Sequence, residues 1–191
     1  MRILKQGAFM GMDNLTDIVF LDNQDKIPSN NTIVLSEYTD TVVGWYDPGK
    51  ATRLFVAPTY GKRITANKMS SGLFSECKNL QCIEGIEVLN TNSVVHMSCM
   101  FSGCRSLTDL DLSSFDTHNV KFMQYMFEWC TSLKNLDISG FDTSNVRYMN
   151  NMFCHCESLQ TLKTGPEFDT SNARIENMFY ECPIKKHIMI K

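Results

Sequence analysis

One period organises most of this chain. A Leu-Phe or Met-Phe pair stands at Leu73-Phe74, Met100-Phe101, Met126-Phe127, Met152-Phe153 and Met178-Phe179, at steps of 27, 26, 26 and 26 residues. Each Phe is followed three residues later by a cysteine: Cys77, Cys104, Cys130, Cys156 and Cys182. In the first four copies Leu80, Leu107, Leu133 and Leu159 follow three residues after that, and then Ile83, Leu110, Leu136 and Leu162. Self-similarity at a fixed period marks units that cannot bury their apolar face alone and must cover one another. With 43% hydrophobic residues the chain has enough apolar material for one continuous core.

Each copy has two halves. Val120, Met123, Met126, Phe127 and Cys130 stand at offsets 0, 3, 6, 7 and 10, a spacing that predicts one face of a helix. Leu110-Asp111-Leu112 and Leu136-Asp137-Ile138 alternate apolar and polar, as a short half-buried strand does. Between them recurs an Asp-Thr-x-Asn step: Asp116 to Asn119, Asp142 to Asn145 and Asp169 to Asn172, with a looser version from Asn90 to Ser93. Such side chains cap helix N-termini and close turns by binding free backbone N–H groups. In register, the asparagines are expected to form a ladder.

These patterns predict an α/β fold: a leucine-rich-repeat-type solenoid with short parallel strands and helical turns over residues 67–183. A closing strand is expected over 184–191. Residues 1–66 show no repeat. Ile18 to Leu21, Thr32 to Leu35, Thr41 to Tyr46 and Leu54 to Ala57 are β-prone runs separated by turn formers such as Asp47-Pro48-Gly49. They predict a small antiparallel, β-rich N-terminal cap. Its aromatic residues Trp45, Tyr46, Phe55 and Tyr60 are expected to form a minor core.

The phrase Met-Phe-x-x-Cys-x-Ser-Leu-x-x-Leu-Asp-[Leu/Ile]-Ser-x-Phe-Asp-Thr-x-Asn-Val, as it runs from Met100 to Val120 and from Met126 to Val146, resembles the BspA-like leucine-rich repeat surface proteins. It is similar also to the repeats of mycoplasma-type lipoproteins. The resemblance covers about 20–188 and is strongest over 94–160. It implies a bacterial surface or secreted protein that attaches to host or extracellular proteins or to other cells, with no enzymatic activity.

The formal net charge of −3 speaks against a nucleic-acid or anionic-membrane partner, which calls for a basic excess. No apolar run is long enough to span a bilayer. The first residues, broken by Lys5, Gln6 and Asp13, do not read as a signal peptide, and no lipid or wall anchor is expected. Cytoplasmic residence therefore stands as the alternative to a surface location. An intracellular or phage-encoded interaction scaffold stands as the alternative function.

Side chains that carry chemistry are present but dispersed. The five periodic cysteines fall at core positions, where free thiols behave as small hydrophobes. Cys154-His155-Cys156, with His96 or His118 as outside donors, is the best metal candidate, but it lacks the second spaced pair of a zinc site. His96, His118, His155 and His187 lie in different copies, and no nucleophile-elbow or metalloprotease motif occurs. No metal, cofactor or catalytic site is expected. Met97, Met100, Met123, Met126, Met149, Met152 and Met178 are read as core. The expected binding surface is the outward side of the strands: Asp109, Asp111 and Ser113, then Asn135, Asp137 and Ser139, then Thr161 and Lys163. Such an acidic, hydroxyl-rich strip suits a protein ligand with a basic segment, or a glycan.

Overall fold

In a computed structural model, residues 3–36, 42–61 and 63–186 are described. The strands are β1 (Asp17–Phe20), β2 (Ile33–Val34), β3 (Val42–Asp47), β4 (Lys50–Pro58), β5 (Ile64–Thr65), β6 (Cys82–Glu84), β7 (Leu89–Asn90), β8 (Asn135–Ile138) and β9 (Thr161–Thr164). Two short 3₁₀ turns cover Ile86–Val88 and Pro183–Lys186. The strands form a five-stranded sheet, ordered β2-β3-β4-β1-β6, and two parallel pairs, β5-β7 and β8-β9.

The α/β leucine-rich-repeat-type solenoid expected from the sequence is overturned. Among the described residues there is no α-helix, and the chain is β-structure in small sheets joined by turns and coil. The segments expected to be helical are tight turns, and their hydrogen bonds show why. The N–H groups of Met97, Cys99, Phe101 and Gly103 donate to carbonyls of Phe122, Gln124, Met126 and Glu128, one period further on. The alternate N–H groups of Met100, Ser102 and Cys104 close three-residue turns onto Met97, Cys99 and Phe101. An α-helix would send each N–H to its own i−4 carbonyl; here half of them leave the segment.

This path requires left-handed backbone at two places per copy, two residues before and two after the Phe. Cys99 and Gly103, Tyr125 and Trp129, Asn151 and His155, and Asn177 and Glu181 all have φ between 53° and 76°. No helix passes through that region, since each L-residue there costs roughly 1–2 kcal/mol. The apolar spacing that imitates a helix face marks turn corners.

Equivalent residues meet face to face. The rings of Phe74, Phe101, Phe127, Phe153 and Phe179 stack at 5.2, 5.6, 5.5 and 5.3 Å. Phe9 extends the column at 5.1 Å from Phe74. Gly7 and Gly11 flank Phe9 with φ of 60° and 71°, as the left-handed pairs flank the later rings. Residues 7–11 thus form one more such turn, in a region read as carrying no repeat. The thiols of Cys77, Cys104, Cys130 and Cys156 donate to the carbonyls of Phe9, Phe74, Phe101 and Phe127 at 2.9–3.2 Å. All eight cysteines are free.

The Asp-Thr-x-Asn step caps no helix. Asp116, Asp142 and Asp169 accept the backbone N–H two residues on, through Oδ1. Asn119 and Asn145 donate to the carbonyls of Asn92 and His118, so the asparagine ladder runs from side chain to backbone. The threonines of the step are its buried members. Thr91, Thr117 and Thr143 each donate to the carbonyl of the next Asp and accept that residue's N–H.

The N-terminal strands fall on the four apolar runs, but the sheet is mixed. β2-β3 and β3-β4 are antiparallel, whereas β1 lies parallel between β4 and β6. That placement joins the N-terminal third to the first copy. It brings Gly85, at φ 70°, so close that a Cβ there would sit 2.2 Å from the Phe20 carbonyl oxygen. Trp45 and Phe55 stack in a minor core, while Tyr46 and Tyr60 are exposed. The expected closing strand is a 3₁₀ turn over Pro183–Lys186, and its remainder lies outside the described residues.

Candidate functional site

The outward strand face is built by alternation. In β8, Asn135 and Asp137 are exposed and Leu136 and Ile138 are buried. β9 runs parallel to it, with Thr161 opposite Asn135 and Lys163 opposite Asp137. Gly165 ends β9 where a Cβ would lie 1.9 Å from the Ser139 carbonyl oxygen, so only glycine lets the chain pass this close. Asp109 to Leu112 presents the same alternation, but it is not a strand, since its backbone is not hydrogen-bonded as a ladder. The row expected as three strands is therefore one parallel pair flanked by a segment outside any strand.

The structure brings the expected residues together. Asp109, Asp111, Asn135, Asp137, Thr161 and Lys163 line an open groove of about 480 Å³ whose floor is Leu110 and Leu136. Ser113 and Ser139 line an adjoining hollow of about 230 Å³, together with Asp111, Asp137, Leu110 and Gly140. The leucine floor and Gly140 were not anticipated. The period-two alternation assigns Leu110 and Leu136 inward, and only the gaps between exposed side chains uncover them.

Two aspartates are fixed alike. Oδ1 of Asp111 accepts the Ser113 N–H, and Oδ1 of Asp137 accepts the Ser139 N–H, both at 2.9 Å. The other oxygen of Asp137 pairs with Lys163 at 2.8 Å, between side chains that are both more than half exposed. The hydrogen bonds from Ser113 hold the Asp111 carboxyl below its ordinary range. Lys163, and then Ser139, do the same for Asp137. Both groups are anionic at neutral pH. An ion pair this exposed is worth little to stability.

The remaining candidates do not converge. His96 stacks on Phe122. His118 contacts Asp116 through Nδ1 and Asn119 through Nε2. His155 lies flat on Trp129, 3.8 Å between ring centres. His187 is outside the described residues. Cys156 donates to Phe127 while its neighbour His155 faces Trp129, and no group of three potential ligands is gathered among the described residues. Burial raises the Cys77 and Cys182 thiols to about 11, and those of Cys104, Cys130 and Cys156 well above the usual value. They are neutral packing groups.

Among the described residues no helix is long and apolar enough to cross a membrane. Residues 67–189 match the family described as "Mycoplasma protein of unknown function, DUF285". Neither a curated protein nor a solved structure matches the chain.

Proposed function

We propose that this chain, which belongs to the family described as "Mycoplasma protein of unknown function", is a non-enzymatic recognition module that binds a protein partner through its strand face. One observation carries the reading. Outward residues from three successive copies line a groove with an apolar floor and anionic walls, and a smaller hollow that shares Asp111 and Asp137 with it adds the Ser113 and Ser139 hydroxyls. An open depression of this kind suits an extended chain segment better than a small molecule, which is usually enclosed. The aspartates favour a segment carrying lysine or arginine.

The test is direct binding of the full chain to an immobilised lysine- and arginine-rich peptide. Asp111→Asn with Asp137→Asn keeps the Oδ1 acceptors that serve Ser113 and Ser139 and removes only charge. Affinity is expected to fall about tenfold or more if both charges contact the peptide. Equal affinity in the double variant overturns the assignment. The likeness to BspA-like surface proteins supports an adhesive role at the cell surface or in the secreted fraction. Fractionation of a tagged chain tests this part, and an exclusively cytosolic pool would favour an intracellular scaffold with the same binding face.

A further inference from the structure

A second surface of opposite sign lies on another side of each copy. The backbone there forms successive parallel bridges, Met69–His96, His96–Phe122, Phe122–Tyr148 and Tyr148–Arg174. Beside them runs a row of hydrogen bonds: Val95 N to Lys68 O, Lys121 N to Val95 O, Arg147 N to Lys121 O and Arg174 N to Arg147 O, all 2.9–3.0 Å. Lys68, Lys121 and Arg147 therefore stand along one row, with Val95 between the first two, and Arg174 adjoins its end from the bridge row, over the Tyr148 ring. Rungs joined in this way are about 4.8 Å apart, so the four steps from Lys68 to Arg174 span roughly 19 Å.

Four other cations of the chain are paired. Lys50, Arg53, Lys78 and Lys163 each face a carboxylate. Among the described residues no carboxylate lies within ion-pair distance of Lys68, Lys121, Arg147 or Arg174. Arg147 donates to the neutral carbonyls of Ser144 and Val146, and Arg174 lies over the Tyr148 ring. All four are exposed. An uncompensated cationic line in a chain of net charge −3 is a segregation of charge that the total conceals. Strand-face residues and this line are separated within each copy by buried positions such as Phe141, Thr143 and Val146.

We propose that this line is a docking surface for a linear sulfated polysaccharide. Charge complementarity selects a polyanion. Extent selects its shape: four cations spread over five successive rungs, with Val95 on the second, match an extended polymer that carries anionic groups along its length. Nucleic acids fit less well. Single strands bind by stacking bases on free aromatic faces, and here the faces are occupied, with His96 on Phe122, Phe122 on Tyr148, and Tyr148 under Arg174. A duplex turns its phosphates along a helical path and would meet a straight row at few points.

The probe is heparin, titrated against the full chain over a range of salt concentrations, with a DNA duplex of matched length beside it. Binding to heparin is expected at low salt and is expected to weaken steeply as salt rises. Replacing Lys121→Gln, Arg147→Gln and Arg174→Gln together should lower heparin affinity at least tenfold. Each cation removed should reduce the log–log salt slope by about one. Asp111→Asn with Asp137→Asn should leave heparin binding unchanged or tighter, which separates this surface from the strand face. An unchanged melting temperature shows that the triple variant is folded; if it is not, Lys121→Gln alone is read through its salt slope. No heparin binding at low salt, undiminished binding by the folded variant, or a duplex bound as tightly as heparin would each overturn the proposal.

Discussion

Thr117→Val tests the turn-to-turn architecture at a single hydroxyl. The Thr117 hydroxyl donates to the Asp142 carbonyl and accepts the Asp142 N–H, both at 2.9 Å, and the residue is 2% exposed. Valine has nearly the same shape, so packing is kept and both bonds are lost. Two backbone groups of Asp142 then lack their partner. A buried unsatisfied group costs about 1–3 kcal/mol. Because Asp142 is only half-buried, water can reach part of the defect, and the sum should fall at about 2–4 kcal/mol. Thr117→Ser keeps the hydroxyl and loses one buried methyl, which costs about 1 kcal/mol. The assay is equilibrium urea unfolding of both variants and the parent, followed by far-ultraviolet circular dichroism and by the fluorescence of Trp45 and Trp129. Coincident transitions are needed to read free energies from the midpoints. If Val costs no more than Ser, the threonine does not tie one copy to the next and the bridging reading is wrong.

Three further outcomes follow from the same geometry. Phe127→Ala removes a fully buried ring stacked on both sides and should cost about 3–5 kcal/mol, whereas Asp111→Ala should cost less than about 1 kcal/mol; near-equal shifts in urea midpoint would mean the faces are misassigned. Asn151, at φ 56°, should tolerate glycine with a neutral or slightly higher melting temperature, while valine at that place should cost about 1–2 kcal/mol; tolerance of valine would refute the left-handed turn. Alkali should destabilise the protein through its buried thiols. The Cys77 pKa is raised from 9.0 to about 11, so its contribution is complete below about pH 9 and is lost as pH rises towards 11, where the unfolded chain ionises first. Cys77→Ala should flatten the pH dependence of the urea midpoint between those values, and an unchanged slope would count against this thiol as a contributor.

Much of the candidate site is legible in the sequence. Alternation around Asp137 and the 26-residue step put Asp111 and Asp137 on equivalent outward positions, and the structure gives them the same hydrogen bond. The cationic line was missed although a signal was present. Lys121 and Arg147 each follow the Val that ends an Asn-Val step, and Lys68 and Arg174 stand at or beside the corresponding place. Summing charge over the whole chain hid it. The first ring of the column was missed for a different reason: Phe9 carries neither the Cys nor the Leu of the later copies, and only Gly7 and Gly11 mark its turn.

The sequence alone determined the period and the identity of the buried positions. Phe, Cys, Met and Leu recur at fixed intervals, and burial follows side-chain chemistry whatever path the backbone takes between them. The backbone conformation was decided only by tertiary contact. Offsets of 3, 6, 7 and 10 satisfy a helix and also satisfy two consecutive turns, and nothing local separates the two. The difference lies in where the N–H groups go. Phe101 finds its acceptor on Met126 and Gly103 on Glu128, each 25 residues away. Once the next copy offers those carbonyls, paired left-handed residues are affordable and a helix is not the lowest state. An isolated copy holds no such partner, which is why its apolar pattern pointed to the wrong backbone.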